Sequence, residues 1–272
     1  MKMLSGEKRR ERVNILGVGI STINMTDALQ HMERWIIARE QNYICVTTVH
    51  LLMEAQKDHA LKRILNSAGL ITPDGMPLVW LGKLLGYSNM DRVYGPDIML
   101  NFSALAARKG YTSFYYGGMP GVAQKLSEKL TERFPGLEVV GIYSPPFRPL
   151  TPEEDEEVIN IINKADPDVL WIGLGAPKQD RWMAEHIGRI KAPVIVGVGA
   201  AFDFLSGSKR QAPVWIQRSG FEWLFRLLNE PKRLWKRYLV TNTLFILSLA
   251  KRQLGILGEQ HWKFTSKNGT GN

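Results

Sequence analysis

The sequence predicts an α/β fold in which a mostly parallel β-sheet is flanked by helices and followed by a helical C-terminal appendage. Up to residue 206, short runs rich in Val, Ile and aromatic residues alternate with helical patterns, as in chains built from β-α-β units. Beyond that point the strand-like runs stop and an apolar helical stripe begins. The alternation indicates a Rossmann-like core with right-handed crossovers.

The candidate strands lie between Gly- and Pro-containing turns. Several are apolar on both faces, which is typical of the buried strands of a parallel sheet. The run at 13–18 is expected to be the first strand. The full set is 13–18, 43–47, 113–116, 138–142, 168–173 and 194–198.

Helical patterns fill the gaps between these strands. A proline in the first turn is expected at Pro120, and Thr151-Pro152-Glu153-Glu154 forms a capping box. The expected helices are 27–40, capped by Thr26, then 51–65, 96–108, 120–134 and one that runs from the capping box to Ala165.

The C-terminal segment has a different character, so a domain boundary is expected near Ser206, with a core at 1–206 and an appendage at 207–272. Apolar residues recur at helical spacing, and three tryptophans lie close by. These residues are Phe221, Leu224, Phe225 and Leu228, with Trp215, Trp223 and Trp235. The spacing predicts an amphipathic helix.

Nearly all of the net charge of +9 lies in this appendage. Between residues 209 and 252 there are ten basic and two acidic residues. Such a concentration predicts a negatively charged partner, namely anionic lipid, phosphate or nucleic acid.

The rest of the composition indicates a cytoplasmic location. The single cysteine, Cys45, excludes an internal disulfide and is expected to pack as a small hydrophobe. Neither a signal peptide nor an uninterrupted apolar run of about 18 residues is evident.

Several loops follow the candidate strands, and ligands of doubly wound sheets bind at that edge. Four of these loops are rich in small residues or hydroxyls and come together only if the sheet is parallel. They are 47–50, 117–121, 173–179 and 197–203. Small residues let a ligand approach the backbone, so together the loops predict a binding site.

Each candidate site residue, in these loops or elsewhere, has two interpretations. Thr48 and His50 could contact a substrate, or one of them could cap the following helix. Asp74 could be a turn residue or a general base, because a partly buried carboxyl has a raised pKa. Arg92 could be a surface side chain or a phosphate clamp. Gly117 and Gly118 could form a plain turn or cradle a diphosphate at a helix N-terminus.

A metal site and a cofactor are not expected. The five histidines are scattered without ligand spacing. Asp166-Pro167-Asp168 matches the Asp-x-Asp pattern with which many nucleotide-sugar transferases hold a cation. However, it lies at the start of a predicted strand, which is the wrong edge of the sheet for a ligand.

Taken together, these motifs resemble the WecG/TagA/CpsF family of bacterial glycosyltransferases over about residues 13–240. They occur in the family's order. The matching pieces are Thr48-Val49-His50, Thr72-Pro73-Asp74-Gly75-Met76, Arg92 through Asp97, Tyr116-Gly117-Gly118, Gly175 through Gln179 with Trp182, Gly197-Val198-Gly199 with Phe202-Asp203, and Gly220 through Arg226 with Pro231, Arg233, Arg237 and Tyr238.

The resemblance implies an inverting, metal-independent transfer from a UDP-sugar to an undecaprenyl-diphosphate-linked saccharide in cell-surface polysaccharide or teichoic acid synthesis. It implies peripheral attachment to the inner face of the plasma membrane through the appendage. Nucleic acid is then not a partner, and the oligomeric state stays open, a homo-oligomer included.

The resemblance also implies roles for individual residues. Asp74 matches the catalytic base, and Thr48, Arg92 and Gln179 match active-site positions. The appendage is expected to hold the diphosphate with arginines, here Arg226, Arg233 and Arg237.

One position departs from the family. His50 stands where members such as the teichoic acid enzyme have asparagine. The donor sugar therefore stays open among N-acetylmannosamine, its uronic acid, glucose and glucuronic acid.

Two other classes of protein are alternatives. A nicotinamide-dependent oxidoreductase could share the core, although G-x-G-x-x-G is missing after the first predicted strand. A basic nucleic-acid-binding protein would fit the charge, but no recognition motif is present.

Overall fold

The computed structural model describes residues 11–255, except for the side chains of Arg218, Arg233, Lys236, Arg237 and residues 252–255. It confirms the α/β fold. The strands of its main sheet are β3 (Asn42–Thr47), β4 (Leu70–Pro73), β5 (Thr112–Gly117), β6 (Glu138–Tyr143), β7 (Val169–Gly173) and β8 (Val194–Gly197). This six-stranded, all-parallel sheet has the order β4-β3-β8-β7-β5-β6.

Helices flank this sheet and continue into the C-terminal segment, which also contains a π-helical turn at Lys236–Val240. The α-helices are α1 (Met25–Ala38), α2 (Val49–Lys57), α3 (His59–Ser67), α4 (Met76–Leu84), α5 (Gly95–Lys109), α6 (Val122–Arg133), α7 (Pro152–Ala165), α8 (Lys178–His186), α9 (Ala201–Leu205), α10 (Val214–Arg218), α11 (Glu222–Asn229), α12 (Pro231–Trp235) and α13 (Thr241–Gly255).

The core lies in two layers, one on each face of the sheet. Strand β3 shows the division, because Tyr43 and Cys45 join one buried cluster while Ile44 and Val46 join the other. Successive side chains of a strand point to opposite faces, so a strand buried on both sides is apolar throughout. Cys45 is buried, as its sequence context predicts.

The prediction of a first sheet strand at 13–18 is wrong. That segment forms a separate antiparallel hairpin of β1 (Arg12–Ile15) and β2 (Val18–Ser21). Leu16 and Gly17 both have positive φ, 52° and 83°, which is the requirement of a tight two-residue hairpin turn. The Asn14 side chain accepts a hydrogen bond from the Gly17 N–H at 2.8 Å. The turn therefore divides the apolar run.

Strand β4 was missed because it is short and ends in proline. Pro73 has no N–H to donate, but β4 is an edge strand, where this is tolerated. Two helix predictions also need correction. Asn24, not Thr26, caps α1, and the expected helix 51–65 is interrupted at Asp58. The Asp58 side chain accepts from the Leu61 N–H at 3.0 Å and starts a new helix.

The Thr151 capping box is present as predicted, with both reciprocal hydrogen bonds formed. The C-terminal helices pack on the core chiefly through α13 against α2. No helix within residues 11–255 has both the length and the apolar character that crossing a bilayer requires.

Candidate active site

A cleft of about 450 Å³ opens along the carboxyl edge of the sheet. The loops that follow β3, β4, β5, β7 and β8 all contribute lining residues. Strands β3 and β8 are distant in the chain but adjacent in the sheet, and ligands bind at such reversals of strand order. The structure thus brings together the loops that the sequence marked as separate candidates.

The glycines of this edge allow a close approach of two strand ends. Gly117 has a φ of 126°, and a Cβ there would lie 2.6 Å from the backbone carbon of Gly173. Gly118 donates its N–H to the Gly173 carbonyl at 3.1 Å and lines the cleft. Gly117 therefore supports the wall, and Gly118 forms part of its surface.

The Gln179 side chain packs against the two loops that follow β7 and β8. It is buried, and its side-chain oxygen accepts from the Gly175 N–H at 3.1 Å. A Cβ on Gly197 or on Gly199 would press on the Gln179 amide. Gln179 lines the cleft, but its oxygen is already used to hold the Gly175 loop.

Asp74 directly follows β4, and its backbone N–H donates to the Thr47 carbonyl at 3.0 Å. Its side chain is only 14% exposed. Arg92 contacts this residue at two atoms. Its Nε donates to the Asp74 backbone carbonyl at 2.5 Å, and its Nη2 lies 3.4 Å from Oδ1 of the carboxylate. The turn aspartate is thus held by an arginine from another loop.

The charged surroundings act on the Asp74 carboxyl in opposite directions. Burial and the neighbouring charges together raise the pKa of Asp74 to about 6: burial raises it most, Arg92 lowers it, Glu222 raises it and Arg226 lowers it. Burial outweighs the two arginines. A carboxyl with a pKa near neutrality can accept a proton from a hydroxyl, as a general base does.

A second, smaller pocket of about 120 Å³ lies beside the cleft. Thr48, Asp74 and Arg226 line both cavities. The smaller pocket is formed by the start of α4 on one side and by the appendage on the other. Its remaining lining residues are Val49, His50, Gly75, Met76, Pro77, Arg92, Gln217, Gly220, Glu222, Trp223, Tyr238 and Asn242.

Thr48 is the cap of α2, as one of its two interpretations predicted, since its hydroxyl accepts from the Leu51 N–H at 3.4 Å. It also lines the two cavities, and its contact with a substrate stays a prediction. His50 is the second residue of α2 and lines the smaller pocket but not the larger cleft.

Arg226 enters the site from α11, where its guanidinium carbon lies 5.4 Å from the centre of the Phe204 ring. Arg233 and Arg237 lie on α12 and the π-helical turn. Their side chains are outside the described part of the structure, so their predicted diphosphate contacts stay predictions.

The sequence interpretation missed Glu222 and Tyr94. Glu222 Oε2 lies 2.5 Å from Arg92 Nη2, and Oε1 accepts from the Tyr94 hydroxyl at 3.0 Å. The only signal was a carboxylate in the first turn of a predicted helix within a strongly basic segment. Such a residue complements a helix N-terminus in any protein, so it did not stand out.

The Asp-x-Asp pair lies at the opposite edge of the sheet, where the sequence placed it. Asp168 accepts from the Thr112 N–H at 2.9 Å, and Arg39 pairs with Asp166 at 2.6 Å and with Asp168 at 3.4 Å. Both carboxylates therefore bind neighbouring residues at the edge where the strands begin.

Comparison with known proteins identifies the family of this chain. The sequence model of the glycosyl transferase WecG/TagA/CpsF family matches residues 13–257. An N-acetylglucosaminyldiphosphoundecaprenol N-acetyl-beta-D-mannosaminyltransferase of Bacillus spizizenii is 30% identical over 79% of this chain and 82% of its own. Enzymes with the same name from Bacillus subtilis and Staphylococcus aureus are 28% and 24% identical, each over 89% of this chain and at least 90% of their own.

The fold, the two adjoining cavities and these relatives define the class: the protein is a glycosyltransferase. It belongs to the WecG/TagA/CpsF family. This decides between the enzyme classes that the sequence left open in favour of glycosyl transfer.

Proposed function

We propose that this enzyme transfers a hexose-type sugar from a UDP-sugar to a polyprenyl-diphosphate-linked saccharide, with Asp74 as general base. The observation that carries the proposal is the position of Asp74 in the wall shared by two cavities. The larger cleft suits the donor, and the smaller pocket beside the appendage suits the saccharide end of the acceptor. A base between them can reach both reactants.

The reaction we propose is a single displacement that inverts the anomeric carbon. Asp74 takes the proton of an acceptor hydroxyl, whose oxygen attacks that carbon. The bond to the diphosphate breaks at the same time, and UDP leaves with the electron pair. Because the base must be ionised, kcat/KM should rise as pH increases through about 6, the pKa that burial produces.

The departing diphosphate needs positive charge. Arg226 lines the cleft, together with Lys178 and Lys209, and arginine suits phosphate groups because of its fixed fork of donors. Arg233 and Arg237 are proposed to complete this set. Stabilisation of charge that develops at the leaving group is a large term in such reactions.

We propose a metal-independent reaction. Asp166 and Asp168, the pair that could hold a cation, are engaged with Arg39 and Thr112 at the far edge of the sheet. Among the described residues, no group of three or more His, Cys, Asp or Glu side chains is placed to hold a metal ion. The arginines of the appendage supply the charge instead.

The acceptor arrives from a membrane, and the appendage is the proposed contact surface. Its exposed apolar side chains accompany its excess of basic residues, a combination that favours anionic lipid. Helix α4 extends this surface, because Trp80 lies against Gly220 and Leu84 is 84% exposed. The exposed set is Trp80, Leu84, Val214, Trp215, Phe221, Leu228, Leu239, Ile246 and Leu247.

The test is UDP release from a panel of UDP-sugars in the presence of EDTA, with a synthetic prenyl-diphosphate saccharide as acceptor. N-acetylmannosamine comes first, because the relatives' names contain it; its uronic acid, glucose and glucuronic acid follow because of His50. Release with one donor that requires acceptor is expected. Loss of that release in EDTA, with recovery on added Mg²⁺ or Mn²⁺, would contradict the metal-independent reaction.

A further inference from the structure

Arg92 is held between two carboxylates that belong to different parts of the chain. Asp74 lies in the core, whereas Glu222 opens α11 of the appendage. The guanidinium Nη2 is 2.5 Å from Glu222 Oε2 but 3.4 Å from Asp74 Oδ1. Of the two carboxylates, Nη2 is therefore closer to that of the appendage, while Nε donates to the Asp74 backbone carbonyl.

Several contacts fix the position of the Glu222 side chain. Its second oxygen accepts from the Tyr94 hydroxyl at 3.0 Å, and the Tyr94 ring lies under the Arg92 guanidinium at 4.0 Å. Arg92 Nη1 also lies 3.4 Å from the carbonyl of Gln217, which precedes α11. The Arg92 and Glu222 side chains are 14% and 12% exposed, so solvent screens this pair only weakly.

We propose that Glu222 is a positioning residue for the transfer reaction: it draws Nη2 of Arg92 away from the Asp74 carboxylate and leaves that carboxylate available to the acceptor hydroxyl. The inference rests on the proposed role of Asp74 as the base. It adds a residue of the appendage that acts on the base without touching the substrate.

The physical reason is competition for one cation. If the charge of Glu222 were removed, Arg92 could move onto Asp74 and form a close, charge-assisted pair, which is the strongest type of hydrogen bond available to it. The negative charge of Glu222 also opposes ionisation of Asp74. Both effects have the same sign, so loss of the Glu222 charge makes Asp74 a weaker base.

The proposal makes the availability of Asp74 depend on the position of the appendage. The carboxylate that draws Arg92 away from the base is supplied by the appendage. In a molecule with the appendage displaced, Asp74 would be the remaining carboxylate partner of Arg92 among the described residues. The position of the appendage would therefore determine whether Arg92 pairs with the Asp74 carboxylate.

Glu222→Gln tests the proposal in the full-length enzyme. Glutamine keeps the size of the side chain and an oxygen that can accept from Tyr94 or Arg92, but it removes the charge. The Asp74 carboxyl is followed by ¹³C NMR during a pH titration, with its signal assigned by Asp74→Asn. The titration midpoint should fall by roughly one pH unit, and the acidic limb of kcat/KM should shift in the same direction.

Two further variants test whether the shift in the Asp74 titration midpoint depends on the charge of Glu222 itself. Glu230→Gln removes the same charge at the other end of α11, about 12 Å away along the helix axis, and should leave both midpoints unchanged. Glu222→Asp keeps the charge with a shorter reach, so its midpoint should lie between wild type and Glu222→Gln. It also replaces Glu222→Gln if that variant does not fold.

The outcomes separate this inference from the proposed function. A lower NMR midpoint without turnover by wild type supports the role of Glu222 and contradicts the proposed reaction. An unchanged midpoint in folded Glu222→Gln overturns the inference, whatever the activity. A fall in kcat with an unmoved pH profile would mean that Glu222 is only a structural contact, and it would overturn the inference too.

Discussion

The core and the appendage use apolar residues in opposite ways. In the core, strands such as β7 and β8 are buried along nearly their whole length, and most large apolar side chains lie inside. In the appendage, α11 has no buried residue at all, and Trp215 and Leu228 are more than 70% exposed. Leu234 and Phe245 are among its few buried apolar contacts.

The difference shows that the two regions are stabilised by different means. The core buries two apolar layers against one sheet, as a packed α/β domain does. Among the described residues, the contacts of the appendage with the core include the packing of α13 against α2 and the Arg92–Glu222 ion pair. Its remaining apolar surface is available to a partner, and the ion pair lies beside the proposed base.

The largest effect should come from Asp74→Asn in the core. Removal of a general base costs about 10² to 10⁴ in rate, and the amide keeps the size of the side chain, so the fold should persist. UDP release and circular dichroism measure the two properties.

Asp168→Asn is the matched control for this experiment, because it changes the same group at the opposite edge of the sheet. It should turn over at nearly the wild-type rate. A large loss in Asp168→Asn, or near-normal turnover in Asp74→Asn, would contradict the assignment of the base.

The difference in packing can be measured by removing one large side chain from each region. Phe102 is fully buried between α5 and the sheet, so Phe102→Ala should cost about 3–5 kcal/mol of unfolding free energy. Phe245→Ala in α13 should cost less, because the appendage can open locally while the core stays folded. Urea denaturation gives the free energies.

Hydrogen exchange identifies where each variant opens. The Phe245→Ala variant should lose protection in the C-terminal helices only, whereas Phe102→Ala should lose it throughout the core. Equal losses of free energy with loss of protection everywhere would mean that the two regions unfold as one unit.

A buried carboxyl beneath the site predicts how stability depends on pH. Asp180 is fully buried beside the Cys45 thiol, and burial raises its pKa to about 7. The unfolded value is near 3.9, so between about pH 4 and 7 the folded state binds more protons and stability falls as pH rises. Asp180→Asn removes this penalty.

The stabilisation by Asp180→Asn should therefore be larger at pH 8 than at pH 5, by on the order of 2 kcal/mol. For a chain of this size each kcal/mol corresponds to roughly 2–4 °C in Tm. Thermal unfolding at the two pH values measures the change. A stabilisation that is equal at both values would show that ionisation of Asp180 is not the cause.

The smallest effect concerns the proposed membrane surface. Trp215→Ala should leave Tm unchanged, because the side chain is 72% exposed, and should weaken sedimentation with anionic vesicles roughly three- to tenfold. Ile37→Ala is the control, since Ile37 is 75% exposed but lies on α1 of the core. Equal binding by the two variants would argue against the appendage as the contact surface.

Much of the fold could be predicted from local patterns. Apolar runs between turn residues located five of the six strands of the parallel sheet, and the Thr151 capping box located the start of α7. The hairpin was not separable from a strand, because Leu16 is an ordinary apolar residue whose positive φ follows from its neighbours. Strand β4 was too short for a periodic signal.

For the site, the sequence by itself determined which loops carry polar and small residues and that they share an edge of the sheet, since all parallel strands end on one side. Only the tertiary structure decided which side chains meet there. Asp74 and Glu222 are 148 positions apart in the printed sequence, and no local pattern links them. Their common partner, Arg92, joins them because folding places the appendage over the core and buries three charged groups together, which is a property of the packed chain alone.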